Sequence, residues 1–401
     1  MKILLADSLP EASVQRLEAA GDEVRVDATL GAEDLAGALA GIEVLVVRST
    51  PVTEEALRAA DQLALVVRAG AGTNTIDCDV AAELGIFVCN VPGKNALAVA
   101  ELTLGLLLAV DRHIADATGD LRVGRWNKKA YSEADGLFGR TMGIIGLGDI
   151  GIATAERASA FGIDVIAEEK PERSADAVAR ALRAGVRFVA DRDALLRESD
   201  IVSLHVPGGA DTAGLVDAAF LATMKNDAIL LNTSRGDVVD EAALIAAMDE
   251  RGIRAGLDVF ADEPGAGTGE FDSPLARHPS VVATHHIGAS TEQAQNAVAD
   301  GTVDAIDAYR RGGVVNCVNM EAAPPKAATL TIRHRDRVGV LAAVLTLLRR
   351  SELNVSNMSN KIFSGSKAAV ATIDVGSVPS AALIEELRSQ EHVINVAVTI
   401  A

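Results

Sequence analysis

Three titratable residues in the second half of the sequence have types and positions that suit proton and anion chemistry. Arg235 lies in NTSRGDVVDE, Glu263 in DVFADEP and His286 in THHIGAST, each at or just after a predicted strand. An imidazole can exchange a proton with a hydroxyl group, a guanidinium can hold a carboxylate and a carbonyl oxygen, and a carboxylate can orient the imidazole and support its charged form. Each residue alone is more simply explained as an ordinary strand-end or loop residue, so its meaning depends on the surrounding motifs.

A glycine-rich segment supplies that context. The apolar run 142–145 passes directly into a turn with GxGxxG spacing, formed by Gly146, Leu147, Gly148, Asp149, Ile150 and Gly151. The first glycine permits the tight turn, the second lets backbone amides approach a pyrophosphate, and the third lets the following helix pack close to the strand. The next predicted strand ends in Glu168-Glu169, about 20 residues further on, where an acid would hydrogen-bond ribose hydroxyls. This combination predicts a dinucleotide site rather than a plain structural turn.

Beside a dinucleotide, the three titratable residues match the needs of a dehydrogenase that acts on a hydroxy acid. His286 would be the base for the hydroxyl proton, Arg235 the cation for the carboxylate and carbonyl oxygen, and Glu263 the carboxylate that supports the imidazole. Zinc-ligand spacing, a P-loop lysine and a nucleophile elbow are absent from the sequence, so we expect no metal site.

The composition limits the choice of partner and compartment. With 401 residues, 49% of them hydrophobic, the chain is long enough for two or three globular domains. The net charge of -19 argues against nucleic acid or an anionic membrane as partner, since both would repel it. Cys78, Cys89 and Cys317 are widely spaced, as expected of reduced thiols in a cytosolic protein. We expect a cytoplasmic protein without a signal peptide, because MKILLAD begins at once as a strand and the apolar run 102–110 is too short to span a bilayer.

The N-terminal part alternates short β-branched runs with helical periods, which predicts a parallel sheet covered by helices. Two of its loops contain polar residues just after predicted strands: Arg48-Ser49-Thr50 follows VLVV, and the segment Arg68 to Asn74 follows LALVV. Because the carboxyl ends of parallel strands meet at one edge of a sheet, the two arginines favour an anion site there.

A long apolar helix is predicted after Pro92-Gly93, with its end near Gly119 or Gly124. Apolar residues surround most of its circumference, which predicts burial between domains or between subunits. Lys94 and Asn95 stand at its start, where a ligand contact is one interpretation and, for Asn95, a helix cap is the simpler one.

After the glycine turn the strand and helix alternation is repeated. The fold class is therefore α/β, with two doubly wound, Rossmann-like parallel-sheet domains. A helix from Thr291 to Arg311 is long enough to return the chain to the first domain. That substrate domain would be discontinuous, with residues 1–94 and 287–318, and a dinucleotide domain of residues 95–286 would be inserted into it. The active site would then lie in the cleft between them.

The composition shifts again near residue 322. The segment Ala322 to Lys326 indicates a linker, which we place at residues 319–326. Residues 327–401 predict the order βαββαβ, typical of a ferredoxin-like plait. A domain this small buries little surface alone, so we expect an edge of its sheet to pair with a partner.

Four motifs, GIIGLGDIG, LLNTSRGDVVDEAAL, LDVFADEP and HIGAST, together resemble those of the D-isomer-specific 2-hydroxyacid dehydrogenases. The resemblance covers nearly the whole chain and extends to short-form members with a C-terminal ACT regulatory domain. It implies hydride transfer from C2 of 3-phospho-D-glycerate to NAD, giving 3-phosphooxypyruvate at the first step of serine biosynthesis. It also implies a homodimer or homotetramer, with serine as a candidate effector.

The same resemblance assigns roles to individual positions. Arg235 would hold the substrate's carboxylate and keto oxygen, His286 would be the acid/base and Glu263 would pair with His286. The substrate side would include Arg48, Ser49, Ala71, Gly72, Asn95, Lys128, Arg235 and His286. Besides the glycine turn, the cofactor side would include Glu169, His205, Val206, Pro207, Thr233, Ser234, Arg235, Asp258, His286, Ile287, Gly288 and Ala289.

Some positions depart from the family's usual pattern. His285 stands where Pro is usual, and His286 is taken as the base because it directly precedes Ile287-Gly288. Glu168-Glu169 replaces the usual Asp; two carboxylates should repel the extra phosphate of NADP, which favours NAD. Thr50 replaces a basic residue that some relatives use for the substrate phosphate. The residues that could compensate are Arg68, Lys94 and Lys128.

In the plait, three residues fall where serine-regulated relatives bind the amino acid between paired ACT domains: His334, Asp336 and Asn354. Asp336 stands where Asn is frequent, and Val338 where Pro is usual. An aspartate can still bind the ammonium group of serine. The alternative is a domain that only stabilises the oligomer.

Two other functions remain open. A glyoxylate or hydroxypyruvate reductase could use the same scaffold, although a feedback domain better suits a committed biosynthetic step. An NAD-sensing co-repressor could reuse the fold to bind partners, but the intact Arg235, Glu263 and His286 set weighs against it.

Overall fold

A computed structural model describes residues 1–264, 268–321 and 326–401 of the chain. These residues form two compact units, Met1–Asn319 and Met320–Ala401. The central part of the expected linker, residues 322–325, lies outside the described residues. Within the described ranges, no helix combines the length and the apolar character needed to cross a membrane.

The first sheet has five parallel strands: β1 (Lys2–Leu5), β2 (Glu23–Val26), β3 (Val44–Val47), β4 (Leu65–Arg68) and β5 (Phe87–Asn90). Its helices are α1 (Glu11–Ala19), α2 (Ala32–Ala38), α3 (Glu54–Ala59) and α4 (Cys78–Glu83). The strand order is β2-β1-β3-β4-β5, and every residue of β3 is buried, as expected of a sheet covered on both faces. Because β3 and β4 are neighbours, the loops that contain Arg48 and Arg68 are adjacent.

The second sheet has seven strands: β6 (Thr141–Ile145), β7 (Asp164–Glu168), β8 (Val186–Val189), β9 (Ile201–Leu204), β10 (Ile229–Asn232), β11 (Arg254–Leu257) and β12 (Val281–Ala283). Its helices are α5 (Ala96–Asp111), α6 (Ile114–Arg122), α7 (Asp149–Ala160), α8 (Ala175–Arg183), α9 (Arg192–Glu198), α10 (Ala218–Thr223) and α11 (Glu241–Arg251). All pairs are parallel, in the order β12-β11-β10-β9-β6-β7-β8. The α/β prediction is confirmed. The strand order reverses between β6 and β9, which is where ligands bind in such sheets.

Helices α5 and α12 (Glu292–Arg310) lead from one sheet to the other and back. α5 packs on the second sheet so closely that a Cβ on Gly256 of β11 would lie 3.0 Å from the Cβ of Leu106. The inner face of α12 is buried with the first sheet, where Val303 and Ile306 join the core around Ile3. Loops from both sheets meet within the first unit, since a Cβ on Gly72 would lie 2.6 Å from Nη2 of Arg235.

The long helix predicted after residue 92 is shorter than expected. α5 ends at Asp111 and α6 begins at Ile114, because His113 between them has a left-handed backbone with φ 52°. Such a residue interrupts the hydrogen bonds that continue a helix. The predicted end at Gly119 or Gly124 is therefore wrong for a single helix, whereas the predicted burial of α5 is confirmed.

The C-terminal unit has the predicted βαββαβ order: β13 (Ala328–Arg335), α13 (Val340–Arg350), β14 (Val355–Ile362), β15 (Ala368–Val375), α14 (Ala381–Arg388) and β16 (Val393–Ile400). Its antiparallel sheet has the order β14-β15-β13-β16. One face packs against both helices through residues such as Ile332, Leu347 and Leu387. Strands β14 and β16 form the two edges.

Candidate active site

The imidazole of His286 is paired with a carboxylate. Its Nδ1 atom lies 2.7 Å from Oε2 of Glu263, while the histidine side chain is 49% exposed. Of the two adjacent histidines, it is His286 rather than His285 that meets Glu263. A carboxylate on Nδ1 fixes the orientation of the ring, stabilises its protonated form and leaves Nε2 for another partner.

Glu263 is held in its ionised form. Burial opposes its charge, but hydrogen bonds from His286 and from the amide of Phe260, 2.9 Å from Oε1, outweigh burial and lower the pKa of Glu263. The positive charge of Arg235 acts in the same direction. A fixed negative charge therefore stands beside the imidazole at neutral pH.

The loop that contains His286 is anchored by the buried carboxylate of Asp258. Oδ1 accepts hydrogen bonds from the hydroxyl of Thr284 at 2.6 Å and the amide of Ile287 at 2.9 Å, and Oδ2 accepts one from the amide of Gly288 at 2.8 Å. The Asp258 carbonyl accepts a further one from the His286 amide at 2.8 Å. These bonds hold His286 at φ 54°, a left-handed conformation that a non-glycine residue keeps only when its surroundings impose it. Sequence reasoning placed Asp258 at the cofactor and missed this anchoring contact.

Arg235 follows β10 and is fixed through neighbouring carbonyl groups. Asn232 donates a hydrogen bond to the Arg235 carbonyl at 2.8 Å, and the Arg235 guanidinium donates one to the Ser234 carbonyl at 2.6 Å. The guanidinium lies against Gly72, where a Cβ would fall 2.6 Å from Nη2. A larger residue at position 72 would displace it. The contact with Gly72 places the Arg235 guanidinium, which belongs to the domain of the second sheet, at the carboxyl edge of the first sheet.

Three arginines converge at that edge. Burial and the positive charges of Arg235 and Arg48 lower the pKa of Arg68 to about 10, against a smaller opposing influence of Asp7. The Nη1 atom of Arg68 occupies the space that a side chain on Gly70 would need, 1.5 Å from its Cβ position. Its buried Nε has no hydrogen-bond partner among the described residues. Cations this close together favour an anion between them.

Asp7, directly after β1, shapes the loop around Arg48 and was missed in the sequence. Its Oδ2 accepts hydrogen bonds from the amides of Arg48 at 2.6 Å, Ser49 at 3.1 Å and Thr50 at 3.1 Å. Burial opposes the charge of Asp7, but these bonds prevail and lower its pKa. Because the amides are occupied, a ligand at this loop would meet the side chains of Arg48 and Ser49. The sequence signal that could have identified Asp7 is an acid after a predicted strand, at the same edge of the sheet as Arg48 and Arg68.

The glycine turn between β6 and α7 contains the close approaches that its spacing predicts. Gly146 has φ 100°, and a Cβ there would lie 2.3 Å from the carbonyl oxygen of His205. A Cβ on Gly151 would lie 2.0 Å from the carbonyl oxygen of Gly146. Gly148 precedes α7 and has open space at its Cβ position, so the amino end of that helix is accessible to an anion.

Other expected cofactor residues have partners of their own. Burial lowers the pKa of His205 to about 4, and its Nε2 lies 2.8 Å from the hydroxyl of Ser203. The Thr233 hydroxyl lies 2.8 Å from that of Thr103 on α5. Ser234 donates to the side chain of Asn232 at 2.7 Å. These contacts hold the carboxyl ends of β9 and β10 in place.

Asn95 and Lys128 were both expected on the substrate side of the site. Asn95 occupies the N-cap position of α5, and its carbonyl accepts a hydrogen bond from the amide of Val99 at 3.1 Å, but its side chain makes no capping hydrogen bond. Lys128 lies between α6 and β6 and lines a cavity of about 620 Å³ with Arg112, Trp126 and Tyr131. Arg235 and His286 are not among the described residues that line it. Asn90 donates a hydrogen bond to the carbonyl of Ala71, beside Gly72, at 2.5 Å.

Comparison with known proteins decides the family. Residues 104–288 match the model of the family described as D-isomer specific 2-hydroxyacid dehydrogenase, NAD binding domain. The chain is 43% identical over 267 residues to a hydroxypyruvate reductase of Thermotoga maritima, covering 66% of this chain and 84% of that protein. The chain belongs to the D-isomer specific 2-hydroxyacid dehydrogenase family.

Two further relatives span more of the chain. It is 40% identical over 329 residues to the D-3-phosphoglycerate dehydrogenase of Methanocaldococcus jannaschii, covering 81% of this chain and 60% of that protein. The chain thus spans about 60% of the length of that relative. The crystal structure of the TT0316 protein from Thermus thermophilus is similar, with a TM-score of 0.70, 33% identity, and coverage of 79% of this chain and all of that one.

The family's NAD-binding domain includes the glycine turn, Glu169, Asp258 and His286. The residues present fit NAD, because the open amino end of α7 suits a pyrophosphate and the acids at the end of β7 suit ribose hydroxyls. Glu168 is paired with Lys170 at 3.0 Å. Glu169 follows directly at the same edge.

Proposed function

We propose that this chain is an NAD-dependent dehydrogenase that oxidises 3-phospho-D-glycerate to 3-phosphooxypyruvate. The observation that supports it is the convergence of Arg48, Arg68 and Arg235, with Arg235 also acting electrostatically on the carboxylate that pairs with His286. A substrate with a carboxylate and a phosphate supplies two anionic groups for these cations. The similarity to the archaeal D-3-phosphoglycerate dehydrogenase supports the same substrate.

The proton transfer would depend on His286. Its Nε2 accepts the proton of the C2 hydroxyl, while Nδ1 stays bonded to Glu263, whose charge stabilises the imidazolium. Arg235 binds the carboxylate and polarises the C2 oxygen. Bound NAD would accept the hydride from C2. In the reverse direction the same imidazolium returns the proton to the carbonyl oxygen.

The phosphate would bind at Arg68 and Arg48. Thr50 contributes little there, because it is buried and its hydroxyl donates to the carbonyl of Ala6 at 3.4 Å. Lys94 is also directed elsewhere, since its side chain lies near Gly301 of α12. Arg68 would thus be the residue that compensates for the missing base at position 50. The site would lie in a cleft between residues 1–94 with 287–318 and the inserted domain of residues 95–286.

A second candidate is a hydroxypyruvate reductase. It is favoured by the 43% identity to the Thermotoga maritima enzyme, of which the chain covers 84%. Both reactions would use His286, Glu263 and Arg235 in the same way. They differ in the phosphate, because hydroxypyruvate has no second anionic group for Arg68.

Initial rates on the two substrate classes separate the candidates. We expect NADH formation from 3-phospho-D-glycerate at a kcat/KM well above that for hydroxypyruvate or glyoxylate reduction. Activity with hydroxypyruvate or glyoxylate alone would refute the proposed substrate. A chain that binds NADH but turns over none of the three would instead be a sensing protein.

The C-terminal unit would be an ACT domain that responds to serine. Asp336 follows the end of β13, whereas Asn354 precedes β14 and lies near the beginning of β13, because Val355 and Ala328 both pair with Val375. Eight strand residues separate the two ends by roughly 25 Å at about 3.3 Å per residue. One serine cannot touch both within a single unit. Antiparallel pairing of the exposed β14 edge with a second copy would bring Asn354 of that copy to the end that contains Asp336.

His334 has a different position from the other two expected effector residues. It is buried, its Nδ1 lies 2.8 Å from the Arg335 carbonyl oxygen, and its Nε2 lies 3.2 Å from Oδ1 of Asn360 on β14. Its proposed part in serine binding would therefore be to hold the edge strand in place. The exposed edge strand β14, where residues 357–362 are all exposed, is the feature that supports a homo-oligomer.

A further inference from the structure

An acid stands at the position where the pyrophosphate of a dinucleotide would bind. Asp149 directly follows Gly148 as the first residue of α7, and its side chain is 50% exposed. An acid here suits the helix dipole, but it repels a pyrophosphate. Glu168 and Glu169 add negative charge at the same edge of the sheet, since β7 is the neighbour of β6. A cation here would offset these negative charges, and the glycine turn contains none.

Arg180 on α8 is a cation at this position. Its Nη2 lies 2.7 Å from Oδ1 of Asp149, although the two residues are 31 positions apart. The hydrogen bond to Asp149 and the charges of Asp149, Asp176 and Glu156 raise the pKa of Arg180, so its charge is constant. A guanidinium has five N–H donors, and this contact uses one. The side chain is 44% exposed, which leaves the remaining donors accessible to a ligand.

The Asp149 carboxylate holds the guanidinium in a fixed place. Its Oδ1 contacts Arg180, and its Oδ2 faces Gly93, where a Cβ would lie only 2.8 Å away. The carboxylate therefore lies between α8 and the turn that precedes α5. As a stabilising ion pair it would add little, because water screens exposed charge pairs. Its geometric effect is to keep a positive group beside the amino end of α7.

We infer that Arg180 is a cofactor-binding residue whose guanidinium donates hydrogen bonds to the pyrophosphate of the dinucleotide, with Asp149 positioning it. The backbone amides of the glycine turn and the side chain from α8 would then share the pyrophosphate. The inference rests on the proposed NAD site and not on the choice of substrate. It concerns a residue outside the GxGxxG motif, on the next helix of the chain.

Binding of NADH to the full chain, measured by its fluorescence without substrate, tests the contact. Arg180→Gln should weaken binding of NADH and of ADP-ribose about tenfold, the loss of a charge-assisted hydrogen bond at a half-exposed site. Adenosine, which lacks the pyrophosphate, should bind this variant and the wild type alike. The matched control is Arg183→Gln, the same change at an exposed position of the same helix, which should leave all three affinities unchanged.

Asp149→Asn distinguishes a contact of Arg180 with the ligand from a purely structural role of the ion pair. Asp149→Asn and Arg180→Gln both break the ion pair, so a purely structural role predicts that both weaken NADH binding. A ligand contact predicts opposite behaviour, because Asp149→Asn removes a repelling charge while its amide oxygen can still accept the hydrogen bond that positions Arg180. NADH should then bind with wild-type or several-fold higher affinity, and melting curves show whether each variant folds.

Three outcomes would overturn either the pyrophosphate contact of Arg180 or the proposed NAD-dependent function. Equal weakening by Asp149→Asn and Arg180→Gln, or unchanged NADH affinity in a folded Arg180→Gln, excludes the pyrophosphate contact. Failure of the wild type to bind NADH overturns the proposed function instead. Arg180→Lys keeps the charge and should recover part of the lost affinity.

Discussion

The Nδ1 atom of His286 lies 2.7 Å from Oε2 of Glu263, and this contact joins two loops that are 23 positions apart in the sequence. The loops follow β12 and β11, which are neighbouring parallel strands. Their carboxyl ends therefore lie side by side, and the pairing needs no unusual backbone beyond the left-handed His286 that Asp258 holds in place.

Replacement of the two adjacent histidines should have unequal effects. His286→Ala removes the proposed base and should lower kcat about 10²–10⁴-fold while NADH binding persists. His285→Ala should remain within a few-fold of wild type, because Glu263 pairs with its neighbour. Steady-state rates and NADH fluorescence measure both. Greater damage from His285→Ala would contradict the assignment of the base.

Glu263→Gln should reduce turnover and alter stability in acid. The folded pKa of Glu263 is lowered from an ordinary value of 4.5, so its ionisation stabilises the fold above that pH. This contribution is lost as the pH falls through the lowered pKa. We expect the variant to lose less stability than wild type below pH 4.5, as measured by urea unfolding. A parallel loss in both proteins would assign the acid sensitivity to other groups.

Arg68→Gln should discriminate between substrates by their phosphate. The loss of one charged contact should raise the KM for 3-phospho-D-glycerate about 10- to 100-fold. Reduction of hydroxypyruvate, which has no phosphate, should change little. Arg25→Gln, an exposed change on the edge strand β2, is the matched control. An equal effect of Arg68→Gln on both substrates would show that Arg68 does not contact the phosphate.

Asp258→Ala should destabilise the fold. Asp258 anchors the loop that contains His286, and we give it no contact with the C2 atom or the C2 oxygen. It leaves the Thr284 hydroxyl and the amides of Ile287 and Gly288 without their acceptor, at a cost of about 3 kcal/mol or more. Asp258→Asn keeps one acceptor oxygen and should cost less. Denaturant unfolding measures the difference. Turnover should fall in both variants, because the loop that positions His286 is released.

Serine inhibition of the full chain should require both ends of the C-terminal sheet. Asp336→Ala and Asn354→Ala should each abolish inhibition, and mixing the two variants should restore a fraction of competent sites, since one site would use one residue from each copy. Rates at increasing serine concentration, with sedimentation to measure the oligomer, test this. Unchanged rates in wild type at millimolar serine would leave the unit as a structural element.

Much of the fold was predictable from local patterns. Runs such as VLVV and the alternating strands of the C-terminal unit indicate strands because their apolar period is local, and the GxGxxG turn marks one strand to helix transition. The break between α5 and α6 was not predictable in the same way. His113 adopts φ 52° without a glycine or proline to mark it, so the helical period continued across it in the sequence.

The residue types of the candidate site were also visible in the sequence, because proton exchange and anion binding require a histidine, an acid and an arginine wherever they occur. Apart from the Glu263–His286 pair, the partner of each acid was not visible. Asp7 meets the amide of Thr50 across 43 positions, Asp258 meets Gly288 across 30, and Asp149 meets Arg180 across 31. A carboxylate after one strand resembles a carboxylate after another in sequence. Its role depends on the donors that packing places within about 3 Å, and those donors belong to distant parts of the chain.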